Sequence, residues 1–169
     1  MKKKIILSLL VIVALFGIVG CKGNNKVYTC KNKDNSDGKR YLTAYSIELN
    51  SKNEAVKYSL KDGFGNYGDN KDGFNSYCDG LKSAYDKNKS TIEKYKDAVN
   101  MEVVCDDKKM EAYYTISYNL DVTKDIEDYK KINEEVAKYN KDDGTFDLEA
   151  WKNYFNTDSL KAGNYTCDF

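Results

Sequence analysis

The residues best equipped for covalent chemistry are five cysteines, and Cys21 stands apart from the other four. It follows Ile18-Val19-Gly20 directly, and that tetrapeptide fits a lipobox: branched aliphatics, a small residue, then the cysteine whose sulfur takes a diacylglyceryl group. Upstream, Lys2, Lys3 and Lys4 form a positive leader, and Ile5 to Val19 is apolar except for Ser8 and Gly17. The run is too short for a spanning helix and matches a secretory signal peptide. The competing reading is an uncleaved anchor helix with an incidental cysteine, which the length and flanks disfavour. The expectation is a signal peptide over residues 1–20, a lipidated tether over 21–26, and one domain over 27–169 held outside the cell at the membrane surface.

Cys30, Cys78, Cys105 and Cys167 remain, an even number in a chain expected to be exported, where oxidation is permitted. No C-x-x-C occurs and histidine is absent, so the close ligand pair of a structural zinc site is missing. Three connectivities are open. Cys30 with Cys167 and Cys78 with Cys105 is favoured, because Val27-Tyr28-Thr29-Cys30 and Asn164-Tyr165-Thr166-Cys167 read as extended ends that could lie side by side. Four reduced, buried thiols are the alternative.

Without histidine, a serine or cysteine nucleophile lacks its usual base and the common neutral metal ligand is gone. Carboxylate pairs are available at Asp69 with Asp72, Asp106 with Asp107, Glu134 with Glu135 and Asp142 with Asp143. Catalysis would need such a pair in a cleft with separated pKa values, and each reads more simply as a turn or a solvated helix surface. None reproduces the spacing of a calcium loop: counting back from Gly73 puts Gly68 where the first carboxylate belongs, and counting back from Gly144 gives Lys141 and Tyr139. Neither a catalytic residue nor a metal or cofactor ligand is assigned.

Cleavage after Gly20 removes three lysines and no acids, leaving 24 basic against 27 acidic side chains. With Arg40 the only arginine, this balance argues against a nucleic-acid partner. The chain holds 15 tyrosines. Tyrosine suits ligand surfaces because it joins an apolar face to a polar tip, but most of these fall on expected core faces. Tyr113 and Tyr67 are the ones expected to be exposed.

The elements that must position these groups follow from periodicity. Asp37-Gly38 is a hairpin-type turn signal. Tyr41, Thr43, Tyr45, Ile47 and Leu49 alternate onto one face, and Ala55 to Leu60 reads as the returning strand after the turn cluster Asn50 to Asn53. The glycine-, asparagine- and aspartate-rich stretch Asp62 to Gly73 is expected to be a loop. Phe74, Tyr77, Cys78, Leu81 and Tyr85, continued by Ile92 and Tyr95, predict a helix from about Phe74 to Ala98. Ser90 with Glu93 matches a capping box inside that stripe, so either the helix breaks near Lys89 or the match is accidental. Met101 to Cys105 and Met110 to Val122 form a hairpin, with apolar residues at every even position of the second arm. Ile126 to Tyr139 reads as a helix, Asp147 as the cap of a short one bearing Leu148, Trp151, Tyr154 and Phe155, and Ala162 to Phe169 as extended. The order β-β-β-α-β-β-α-α-β is that of an α+β domain, an antiparallel sheet with helices packed on one face.

This layout resembles the YehR-like family of small bacterial lipoproteins. The likeness rests on the lipobox, the opening Val27-Tyr28-Thr29-Cys30, the helix from Phe74, the hairpin from Cys105 to Val122 and the close at Gly163-Asn164-Tyr165-Thr166-Cys167. It covers most of the mature chain; the segments Asp62 to Gly73 and Asp142 to Trp151 depart from it. The resemblance implies an envelope lipoprotein with no assigned activity. The function expected is a non-catalytic binding or interaction module, attached to the membrane through the Cys21 lipid and engaging an envelope protein or ligand. An envelope enzyme using paired carboxylates on a wall polymer is the alternative.

Overall fold

A computed structural model describes residues 25–32, 35–36, 39–156 and 164–169. Cys21, the leader, the Asp37-Gly38 turn, and Ala162 and Gly163 at the start of the last extended segment lie outside them. The strands are β1 (Lys26–Asn32), β2 (Asn35–Ser36), β3 (Lys39–Tyr41), β4 (Ala44–Leu49), β5 (Ala55–Gly65), β6 (Val99–Asp106), β7 (Glu111–Asn119) and β8 (Tyr165–Cys167). Between them run the helices α1 (Lys71–Lys94), α2 (Leu120–Thr123), α3 (Lys130–Ala137) and α4 (Leu148–Phe155), with a 3-10 turn at Glu127–Tyr129.

All pairings are antiparallel, and the eight strands form one sheet. The short strands β2 and β3 continue β1 and β4. Ser36 pairs with Lys39 in the same register that sets Lys31 against Ala44. Likewise, Tyr41 against Phe64 keeps the register of Ala44 against Lys61. The sheet therefore runs β6, β7, β5, then the β3–β4 ribbon, the β1–β2 ribbon, and β8 at the far edge.

Strand periodicity sends alternate residues to opposite faces. One face carries Tyr45, Ile47, Tyr58, Leu60, Ala112, Tyr114 and Ile116, joined by direct pairs such as Ile47 with Tyr58 and Leu60 with Ile116. All helices pack on this face, as an α+β architecture requires. The other face is polar: Thr29 bonds Ser46 at 2.9 Å, Ser59 bonds Ser117 at 2.9 Å, and the Lys61 ammonium sits 3.6 Å from the centre of the Tyr113 ring.

The apolar side chains divide into two clusters. One gathers Cys30, Ile47, Leu49, Leu120, Val136, Phe146, Trp151 and Phe155 under α3 and α4. Trp151 meets Phe146 and Phe155 edge-on and stacks on Phe169 with ring centres 5.9 Å apart. The other holds Tyr67, Phe74, Cys78, Leu81 and Ala112 under α1. The structure bonds Cys30 to Cys167 and Cys78 to Cys105, one disulfide in each cluster region. Cys30 and Cys167 are direct partners across β1 and β8, whereas Cys78 ties α1 to β6.

Several expectations need correction. The segment from Asp62 is no loop at first, since β5 runs on to Gly65. Helix α1 starts at Lys71, where the Asn70 side chain accepts from the Gly73 N–H, and it passes through Ser90 unbroken, so the internal capping-box match is accidental. The second arm of the hairpin stops at Asn119: its side chain accepts from the Asp121 N–H and turns Leu120–Thr123 into one helical turn, although the alternation continues to Val122. Tyr67 is buried at 8% exposure, and Tyr113 is half-buried beneath Lys61, so neither is the exposed ring expected.

Candidate functional site

A strip of the helix-facing sheet surface lies between the two clusters and belongs to neither. Leu60 and Ile116 pair directly at the centre of the sheet, on β5 and β7, and Met101 pairs with Ile116 from β6. All three are only partly covered and pack against neither cluster. Full burial of such a side chain is worth roughly 1.5–3 kcal/mol relative to exposure, so leaving these partly open at the middle of a folded sheet forgoes part of that. Helix α1 packs on one side of the strip and α3 and α4 on the other, so the partly covered strip is the floor of the cleft between the two helical groups.

Asp62 stands on the same floor. In β5 it falls between Leu60 and Phe64 on the helix-facing side, paired with Tyr114. Its carboxylate accepts a 2.6 Å hydrogen bond from the Thr43 hydroxyl, and among the described residues it takes part in no ion pair. A carboxylate at an apolar position of a strand costs stability unless its oxygens find partners. Its neighbour Gly63 is required by the close approach of β7: a Cβ there would come 2.3 Å from the Ala112 carbonyl oxygen.

Tyrosines line the rest. Burial raises the phenols of Tyr45, Tyr77, Tyr114 and Tyr165, those of Tyr77 and Tyr165 to about 12, and the Asp62 charge raises all four further. The Tyr45 and Tyr165 rings lie 5.8 Å apart, centre to centre. Three of the rings come from the sheet, on β4, β7 and β8, and the fourth from α1. At neutral pH all remain protonated, presenting hydroxyl donors and ring faces around one negative charge.

On the α3–α4 side, Tyr45 also borders a cavity of about 180 Å³ bounded by Tyr58, Val136, Tyr139, Tyr154 and Trp151. Tyr58 is pushed above the usual phenol range, first by burial and then by the neighbouring phenols of Tyr45, Tyr118, Tyr154 and Tyr139. Tyr154 is 46% exposed at its rim.

The carboxylate pairs named from the sequence lie elsewhere. Asp106 accepts from the Lys108 and Lys109 N–H groups in the β6–β7 turn, and these bonds hold its carboxyl below the ordinary range. Asp143 is held low by the Thr145 hydroxyl and N–H in the turn before α4. Asp72 is in the first turn of α1, and Glu134 and Glu135 are on α3, where Glu135 borders the cavity. Asp147, expected as a cap, accepts from the Ala150 N–H at 2.9 Å.

Asp62 is the residue that sequence reasoning missed. Its signal was the alternation Tyr58, Leu60, Asp62, Phe64, which continues the strand pattern with a charge in one apolar slot.

No family model matches the chain, and no curated protein matches it. It is similar to a solved structure described as an NMR structure of the protein from Streptococcus pneumoniae TIGR4, at 17% identity and a TM-score of 0.47, covering 88% of each chain.

Proposed function

We propose that this chain is a lipid-anchored, extracytoplasmic binding module of the cell envelope, tethered through Cys21 and presenting the central cleft to a ligand. The supporting observation is the half-covered floor at Leu60 and Ile116 in the middle of a sheet whose ends are packed and disulfide-bonded. Ligand sites are largely apolar with a few polar groups, and the apolar floor with Asp62 and its tyrosine neighbours supports that reading. Two disulfides accord with an oxidising compartment. The first strand opens at Lys26, close after Cys21, so a short tether would hold the domain near the bilayer.

The address and the cleft are tested separately. Labelled palmitate is expected to enter the wild-type protein and not Cys21→Ala, which should leave the membrane fraction; a Cys21→Ala form that stays bound sinks the anchor. For the cleft, Ile116→Trp fills the floor without adding charge. Native mass spectrometry of protein taken directly from its own membrane is expected to show a bound mass that this variant loses. A mass retained in Ile116→Trp, or none in the wild type, counts against the binding reading.

A further inference from the structure

The cleft combines features that together select a charge type. Its one acid, Asp62, has a single described hydrogen-bond donor in the Thr43 hydroxyl, whereas an ionised carboxylate offers about four lone-pair sites. Lys61 beside it on β5 and Arg40 on the adjoining β3 are engaged elsewhere. Arg40 is ion-paired with Glu111, and Lys61 points to the opposite face of the sheet, over the Tyr113 ring. Tyr114 is the cross-strand partner of Asp62, and Tyr45 is that of Leu60, its same-face neighbour on β5. The Tyr165 ring lies 5.8 Å from that of Tyr45 and the Tyr77 ring 5.2 Å from that of Phe64, the next same-face residue, and the Asp62 charge raises all four phenols. Ring faces carry negative potential and attract cations, most strongly where water is partly excluded. The uncompensated acid adds to that potential. An anion would meet repulsion here from both.

We propose that the cleft takes a small organic cation, with an alkylammonium group seated against Asp62 and enclosed by the rings of Tyr45, Tyr77, Tyr114 and Tyr165. The apolar part of the ligand lies over Leu60 and Ile116, the two open side chains of the floor. This rests on the reading of the cleft as a binding site and adds the chemistry of the occupant. Unlike the acidic turns at Asp106 and Asp143, whose oxygens are filled by their own backbone, Asp62 keeps acceptor capacity facing the cleft.

The test compares two probes of nearly the same shape: choline, and its uncharged carbon analogue 3,3-dimethylbutan-1-ol. The full chain is produced in a bacterium, purified in detergent micelles and titrated by NMR, reading the methyl groups of Leu60 and Ile116 and the tyrosine rings. Choline is expected to shift these signals in a saturable way, with the alcohol binding at least tenfold more weakly. Asp62→Asn keeps an acceptor for the Thr43 hydroxyl, and should weaken choline at least tenfold while leaving the alcohol unchanged. Intact disulfides and an unaltered near-ultraviolet circular dichroism spectrum establish that the variant is folded. Equal affinity for the two probes, an Asp62→Asn form that binds choline normally, or no saturable choline shift overturns the cation proposal. N-acetylglucosamine serves as a neutral polar control. Saturable binding of that sugar or the alcohol without charge preference removes the cation while leaving the binding module standing, so the two failures are distinguishable.

Discussion

The two ends of the sheet hold their helices by different means. The α1 end is local: its cluster is drawn from Phe64 to Tyr114, and its disulfide closes a sequence separation of 27 residues. The α3–α4 end is assembled from the whole chain, with Cys30, Ile47, Leu120, Trp151 and Phe155 meeting around a disulfide of separation 137. A contact closing a long loop faces a larger entropic cost, so the second region depends more on its crosslink. On the chain-entropy model the Cys30–Cys167 bridge contributes about 5 kcal/mol and the Cys78–Cys105 bridge about 3.5 kcal/mol. Urea unfolding of Cys30→Ala/Cys167→Ala should therefore show the larger loss, with Cys78→Ala/Cys105→Ala losing less. Equal losses would break the comparison, because crosslink entropy would then not distinguish the halves.

That asymmetry also governs what could be read from residue order. The hairpin of β6 and β7 was legible because its even positions are apolar over a long run and its partner is adjacent in sequence. The sides of α1 and α4 followed from their spacing, down to the Asp147 cap. The cleft was not legible, because it is defined by what fails to be covered. Periodicity places Leu60 and Ile116 on the core face, and only the separation of the two helical layers leaves them open. Asp62 was lost for a related reason: an acid flanked by Lys61 and Gly63 resembles the start of a loop, and the pairing of Asp62 with Tyr114 comes from a strand about fifty residues away. Similarly, the alternation through Val122 carried no sign that the Asn119 side chain would end the strand.

Packing tightness gives a second contrast. Ala112 is completely buried in the α1 cluster, opposite Phe64 and Cys105. Val136 instead borders the cavity of about 180 Å³. Ala112→Leu is expected to cost about 1–3 kcal/mol by overpacking. Val136→Ile should be neutral or stabilise by roughly 0.5–2 kcal/mol, as cavity-filling changes do. Both are read from urea midpoints at constant m-value. A destabilised Val136→Ile would mean that the cavity wall is as rigid as the Ala112 site, and that the halves differ in connectivity alone.

The smallest contrast lies in the two helix caps. Asn70 opens α1 by accepting from the Gly73 N–H, and Asp147 opens α4 by accepting from the Ala150 N–H, both at 2.9 Å. Losing either side chain costs about 1 kcal/mol. Asp147 is an acid, so it also favours the positive end of the helix dipole, by roughly 0.3–1 kcal/mol at low salt. Asp147→Ala is therefore expected to cost more than Asn70→Ala by a few tenths of a kcal/mol or more. Asp147→Asn should remove that excess, and 0.5 M salt should shrink it in the wild-type background, because the exposed dipole interaction is screened whereas the hydrogen bond is not. An excess that survives both changes belongs to the burden of the helix instead of the charge of its cap. Helix α4 has eight residues and places Trp151 and Phe155 in the core, so unwinding its first turn would disturb the larger cluster directly. Helix α1 has 24 residues and is fastened at Cys78, which would confine the same loss to Lys71–Phe74.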